Sequence, residues 1–129
     1  MSDIDVQDII GPSAVMQGSS VELNEAIRIT KERFPGQSFC VVENWVWLDL
    51  DAPDLITEEL ASEGQQPVML LVFNTLYDSS TTANPHWFRS TPLAEFSDGM
   101  FFQTTHKLYV LLGPGRRKSM SLSAVVRLF

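Results

Sequence analysis

Apolar residues recur at intervals of three and four between positions 19 and 34, the spacing of one face of an α-helix. The residues on this face are Leu23, Ala26, Ile27, Thr30 and Phe34. Ser19 and Glu22 fit a capping box at the start of the helix, and Pro35-Gly36 is expected to end it. The first strong element is therefore predicted to be an amphipathic helix.

The helical period gives way to β-branched and aromatic residues over positions 38–50, a composition typical of a strand. Alternation would put Trp45 and Trp47 on the same side of this strand as Phe39 and Val41. Both sides are largely apolar, so we expect the strand to be covered on both faces.

The rest of the chain predicts a second helix and several further strands. A short acidic helix is expected over residues 51–64. Asp98-Gly99 accepts the positive φ angles of a tight turn and predicts a hairpin between segments 86–97 and 100–105. The other predicted elements are a buried strand at 66–77, a strand at 108–112, a turn at 113–119 and a terminal strand at 122–129, with a short helix at 121–126 as its alternative.

These elements predict an α+β fold with a mostly antiparallel five- to six-stranded sheet, packed by the N-terminal helix and the second short helix. A chain of 129 residues has the length of one domain. We therefore predict a single domain over residues 1–129, in which residues 1–18 form a partly ordered N-terminal arm. The longest apolar run has six residues, whereas a membrane helix needs roughly 20. The acidic N-terminus lacks the features of a signal peptide, so a cytoplasmic protein without membrane contact is expected.

Charge is distributed unevenly along this acidic protein, whose net charge is -7. The first 64 residues carry 13 acidic and three basic side chains, and the remainder carries three acidic and six basic ones. An acidic helical side opposite a mildly basic sheet side would orient a charged partner, although ordinary solvated helices explain the same pattern. A nucleic-acid partner is not expected, because neutralising phosphates requires clustered Lys and Arg.

Five residues are candidates for binding a protein partner. His86, Trp87 and Arg89 form a compact aromatic and basic segment, in which alternation puts Trp87 and Arg89 on one side. Trp45 and Trp47 share a strand face, and their two indole N–H groups find partners more easily at a rim than in a dry interior. For both groups the structural alternative is that the rings cover the core.

Three adjacent basic residues, Arg116, Arg117 and Lys118, are candidates for binding an anion. They lie in the predicted 113–119 turn, which lacks the glycine and the following helix of a phosphate-binding loop. A solvated turn is the alternative. If this turn lay near His86 or His106, the alternative function would be a small-molecule or anion-binding domain, a class that includes enzymes.

Neither metal binding nor catalysis has positive support in the sequence. Neither His86 nor His106 has another ligand at metal-binding spacing, and no nucleophile motif is present, so no cofactor, metal or catalytic residue is predicted. Cys40, the single cysteine, lies in an apolar string and is expected to be an inert core residue.

Two segments, FCVVENWVWLD at 39–49 and KLYVLLGPGRRKS at 107–119, resemble a small family of uncharacterised proteins from pseudomonads, related bacteria and their prophages. The resemblance covers most of the chain from Ser19 onward and implies a bacterial or phage accessory protein. Aromatic enrichment beside strong charge asymmetry makes a non-enzymatic protein-binding domain the leading hypothesis. Self-association through an open sheet edge, giving a homo-oligomer, is one version of it.

Overall fold

The computed structural model describes residues 13–80 and 87–128, which form eight strands and three helices. The strands are β1 (Ala14–Gln17), β2 (Phe39–Asp51), β3 (Val68–Asp78), β4 (Phe88–Arg89), β5 (Leu93–Ser97), β6 (Phe101–Thr104), β7 (Leu108–Leu111) and β8 (Pro114–Ser121). The helices are α1 (Leu23–Arg33), α2 (Asp54–Ser62) and α3 (Leu122–Leu128). Within these ranges, every helix is too short or too polar to cross a membrane.

The long strand β2 is the centre of one mixed sheet. It pairs with antiparallel β3 on one side, and on the other with parallel β7 along its first half and parallel β8 along its second half. β6 pairs with β7, and β5 pairs with β6. At the other positions in the sheet, β1 pairs with β8 and β4 pairs with β3. The α+β class is confirmed, but the prediction of five to six mostly antiparallel strands is wrong. Local patterns miss very short strands and do not record parallel pairing between distant segments.

The two faces of β2 exchange places at Asn44, which has a φ angle of 51°. Cys40 before this residue and Trp45 and Trp47 after it pack into one core, whereas Phe39 packs on the other side of the sheet. The expectation that the tryptophans share a side with Phe39 is therefore wrong, because one left-handed residue shifts the alternation by one position.

Three apolar clusters hold the fold together. The inner core lies where the β5–β6 hairpin curls over β2, and it brings the Trp47 ring within 4.9 Å of Phe96 and 5.4 Å of Phe102, measured between ring centroids. Its buried members are Cys40, Val42, Trp45, Trp47, Val68, Leu70, Val72, Leu93, Phe102, Tyr109 and Leu111. On the outside of the sheet, α1 covers the start of β2 and α3 covers its end.

Several local predictions are confirmed. The predicted apolar face of α1 packs on the sheet, and α2 forms within the predicted 51–64 range. Asp98 and Gly99 have φ angles of 53° and 66° in the turn between β5 and β6. The first arm of the predicted hairpin, however, forms two strands. Only β5 pairs with β6, whereas β4 pairs with β3.

Three other local predictions are wrong. Ser19 does not cap α1, which has Glu22 at its N-cap, because Ser19 is held in a bridge to Leu112. Residues 114–119 of the predicted turn belong to β8. Strand β1 lies within the predicted N-terminal arm, whose partial order stays a prediction. The terminal element is the helix α3, the alternative to the predicted strand.

Candidate partner-binding surface

The sheet face that packs against α3, here called the outer face, has basic residues on both sides of an apolar centre. The strand register aligns Arg89 with Leu71, Leu71 with Val46, and Val46 with Arg116. Aligned residues on neighbouring strands point to the same face. At a strand spacing of roughly 4.8 Å, the Cα atoms of the two arginines lie roughly 14 Å apart.

An aromatic pair lies beside this row. The rings of Phe73 and Trp87 are stacked, with centroids 6.0 Å apart and planes inclined by 14°, and both rings pack against the cluster under α3. The Arg89 Nη1 atom lies 3.7 Å from the Met69 sulfur on the same side of the sheet. The prediction that Trp87 and Arg89 share a side is therefore confirmed, and His86 lies outside the described residues.

Lys118 lies on the same outer face. The register aligns Lys118 with Leu48 of β2, and Leu48 is aligned in turn with Met69 of the next strand, β3. The structure thus brings four of the residues singled out from the sequence, Trp87, Arg89, Arg116 and Lys118, onto one face. Phe73 completes the aromatic pair, and its sequence position does not single it out because it lies inside a continuous apolar run.

Arg117 points to the opposite face and is held by Asp49 and Trp47. Its guanidinium donates to the two Asp49 carboxylate oxygens at 2.7 and 3.1 Å and lies 5.4 Å from the Trp47 ring centroid. The Trp47 Nε1 atom also donates to Asp49, at 3.0 Å. The three adjacent bases therefore do not converge on one anion, because they lie on a strand in which successive side chains alternate.

Both central tryptophans are buried, with Trp45 0% and Trp47 7% exposed. Each indole N–H has an internal acceptor, which for Trp45 is the Leu112 carbonyl at 3.1 Å. The packing alternative therefore describes both rings, and they are not part of the outer face.

A partly buried ion pair lies near the start of β2, at residues that the sequence did not single out. Lys107 Nζ lies 3.0 Å from both carboxylate oxygens of Asp78 and 3.3 Å from the Ser80 hydroxyl. Burial acts to raise the pKa of Asp78, but hydrogen bonds from Ser80 and Lys107 outweigh it and lower this pKa to about 2. The pair joins residues 29 positions apart, and no local motif marks it.

Cys40 is buried beside this pair and is expected to be unreactive. Burial, assisted by the neighbouring Asp78 carboxylate, raises the pKa of the thiol to about 11, and only the thiolate is nucleophilic. We expect iodoacetamide at pH 8 to leave the native protein unlabelled and to label it fully in 6 M guanidinium, as measured by mass spectrometry. Rapid labelling of the native protein would contradict the burial of this thiol.

His106 lies apart from the basic strand. It is exposed between β6 and β7, where the nearby Leu108 pairs with Phe39, whereas Arg116 pairs with Val46. Seven residues along β2 correspond to roughly 23 Å. Across the two described ranges, no three or more His, Cys, Asp and Glu residues are grouped as a metal site would require.

Residues 17–127 match a family model described as a domain of unknown function (DUF6957). This match agrees with the resemblance of the two quoted segments to an uncharacterised family, whereas an origin in pseudomonads or their prophages stays a prediction. The comparisons with curated proteins and with solved structures found no match.

Proposed function

Since the chain belongs to the DUF6957 family, whose function is unknown, we propose a function from the geometry of the outer face: non-enzymatic binding of an acidic segment of another protein. The observation that carries this proposal is the convergence of Trp87, Arg89, Arg116 and Lys118 on that face. Three strand pairings that are distant in sequence are needed to bring them together.

The chemistry of these side chains suits an acidic protein segment. Arg89 is exposed, while Arg116 and Lys118 are partly exposed, so carboxylates of a partner can reach all three. Arginine binds carboxylates through paired N–H donors, and Arg and Trp are enriched among the residues that dominate binding energy. The Phe73–Trp87 stack offers an apolar contact beside the charges, which favours a segment that also carries an aromatic or aliphatic side chain.

The distribution of charge supports a protein partner over a nucleic acid. The whole chain carries a net charge of -7. A long phosphate backbone that extended past the outer face would be repelled by the acidic remainder of the protein. A short acidic segment contacts only that face, where the three bases lie. Long-range attraction of this kind raises the association rate and weakens as salt screens the charges.

Charge reversal on the outer face is expected to weaken capture of the partner strongly. The test variant is Arg89→Glu/Arg116→Glu, and the matched control is Arg28→Glu/Lys31→Glu, which changes the net charge equally on exposed α1 positions. Affinity capture from the native host should recover the same acidic protein with the wild-type and control baits. The test variant should bind that protein at least tenfold more weakly, because losing one strong arginine contact costs about 2 kcal/mol or more.

Two results would refute the proposal. One is equal recovery of the partner by the test and control variants, provided that circular dichroism shows all three proteins to be folded. The other is tight, salt-sensitive binding of single- or double-stranded oligonucleotides by the wild type, which would assign the same face to nucleic acid. Light scattering of the purified protein measures its oligomeric state and so shows separately whether the protein self-associates.

A further inference from the structure

A mainly apolar groove of about 560 Å³ lies where β2 and β8 end. These two strands are parallel, with Asp51 opposite Ser121, so they finish side by side and α3 begins directly after β8. The lining includes Asp51 and Pro53 from the β2 side and Ser121, Leu122, Val126 and Arg127 from the α3 side. The groove therefore combines the last residue of β2 with one side of α3.

Val126 is exposed because α3 can turn only one of two adjacent valines toward the sheet. Val125 is 1% exposed and belongs to the cluster under α3. The next residue lies roughly 100° further around the helix, and Val126 is 56% exposed. Leu55, two residues after Pro53, is 70% exposed. Among the described residues, two of the three exposed large apolar side chains therefore lie at this end of the sheet. Grouped apolar exposure indicates a contact surface, whereas single exposed residues do not.

The groove carries one acidic and one basic side chain, which makes it complementary to a second copy of itself. Asp51 and Arg127 are both exposed, and each ion pair found within residues 13–80 and 87–128 uses other side chains. When two identical patches meet across a twofold axis, each residue contacts its complement twice. Base then meets acid at both ends, with apolar groups between them. The outer face, which carries three bases, would instead repel its own copy.

We propose that this groove is the contact of a weak symmetric dimer, in which α3 of each copy packs into the groove of the other. Leu122 and Val126 of the two copies remove each other's apolar surface from water, and Arg127 of each copy binds the partner's Asp51. A contact of this small size gives a reversible dimer. The three outer-face bases lie outside the groove, so the dimer presents two outer faces to an acidic partner. Either proposal can fail without the other.

Reversing one charge at a time tests the contact between copies. In sedimentation velocity at concentrations up to roughly 1 mM, where weak association is measurable, the wild type is expected to show a monomer–dimer equilibrium. Arg127→Glu alone and Asp51→Arg alone should each weaken dimerisation by about tenfold or more, because like charges then meet at both ends of the contact. Both positions are exposed, so the variants should fold, which circular dichroism checks.

An equimolar mixture of these two variants should associate about as strongly as the wild type. In the mixed dimer, the glutamate introduced at position 127 meets the arginine introduced at position 51, and the native Asp51 of one chain meets the native Arg127 of the other. Mixing would not restore an attraction within one chain, because each variant carries only one change. A wild type that stays monomeric, or a mixture that associates no better than either variant, would overturn the proposal.

Val126→Ser tests the apolar centre of the contact against a matched control. Val15→Ser removes the same side chain from β1, where Val15 is 60% exposed and lies outside the groove. We expect Val126→Ser to weaken dimerisation by about fivefold or more, because it removes buried apolar surface from both halves of the contact. Val15→Ser and the outer-face variant Arg89→Glu/Arg116→Glu should leave dimerisation unchanged. If either of them weakened it and Val126→Ser did not, the contact would lie elsewhere and the proposal would be wrong.

Discussion

Replacing Gly115 with alanine is expected to destabilise the domain by about 3 kcal/mol, an effect at the upper end for overpacking a core. A Cβ atom at this position would lie 2.4 to 2.5 Å from three atoms of the Trp45 ring. The ring cannot easily move away, because it is completely buried and its Nε1 atom donates a hydrogen bond to the Leu112 carbonyl. Urea denaturation should show a lower midpoint with an unchanged slope.

A double-mutant cycle identifies the cause of this destabilisation. Trp45→Leu removes the six-membered ring, so adding Gly115→Ala in that background should cost less than about 1 kcal/mol, the size of an ordinary strand substitution. Ser119→Ala, on the same strand but exposed, serves as the matched control and should be nearly neutral. If Gly115→Ala cost the same with and without the Trp45 ring, steric overlap would not be the reason.

Acidification is expected to remove about 2 kcal/mol of stability through Asp78 alone. Hydrogen bonds to the carboxylate lower its pKa from the ordinary 3.8 to about 2 in the folded protein, and each pKa unit corresponds to about 1.4 kcal/mol. A lowered folded-state pKa means that the unfolded chain takes up the proton first. The stabilisation is therefore complete above about pH 4 and is lost as the pH falls toward 2.

The measurement is a series of urea titrations between pH 5 and pH 2 on the wild type and Asp78→Asn. Asparagine keeps the shape but cannot ionise, so the variant should be less stable at pH 5 and should lose about 2 kcal/mol less than the wild type over this range. Glu59→Gln on the exposed side of α2 is the control and should retain the steep acid dependence. Parallel curves for the wild type and Asp78→Asn would contradict the role of this carboxylate.

The candidate surface was only partly predictable from the sequence. The alternation of residues 87–89 correctly placed Trp87 and Arg89 on one side, since that relation depends on three consecutive residues. Their meeting with Arg116 and Lys118 depends on two further strands, β3 and β2, lying between them. A single sequence contains no local trace of that order.

The basic segment shows how one local assignment changes a site. As a turn, residues 116–118 could have pointed three charges at one anion. As part of β8, Arg117 points to Asp49 and Trp47, while its two neighbours point to the outer face. Glycine and proline at positions 113–115 favoured the turn, but parallel pairing with β2 satisfies the backbone of this segment as a strand.

What the sequence determined by itself was the set of local elements: the apolar face of α1, the acidic helix α2, the two long buried strands and the Asp98-Gly99 turn. These follow from side-chain spacing and from the φ angles that single residues accept, which act over a few positions. Only the tertiary structure decided the parallel pairings of β2, the burial of both tryptophans, the Asp78–Lys107 pair and the outer face. Those features depend on contacts between residues far apart in the chain, and such contacts form only when the whole sheet assembles and packs its core.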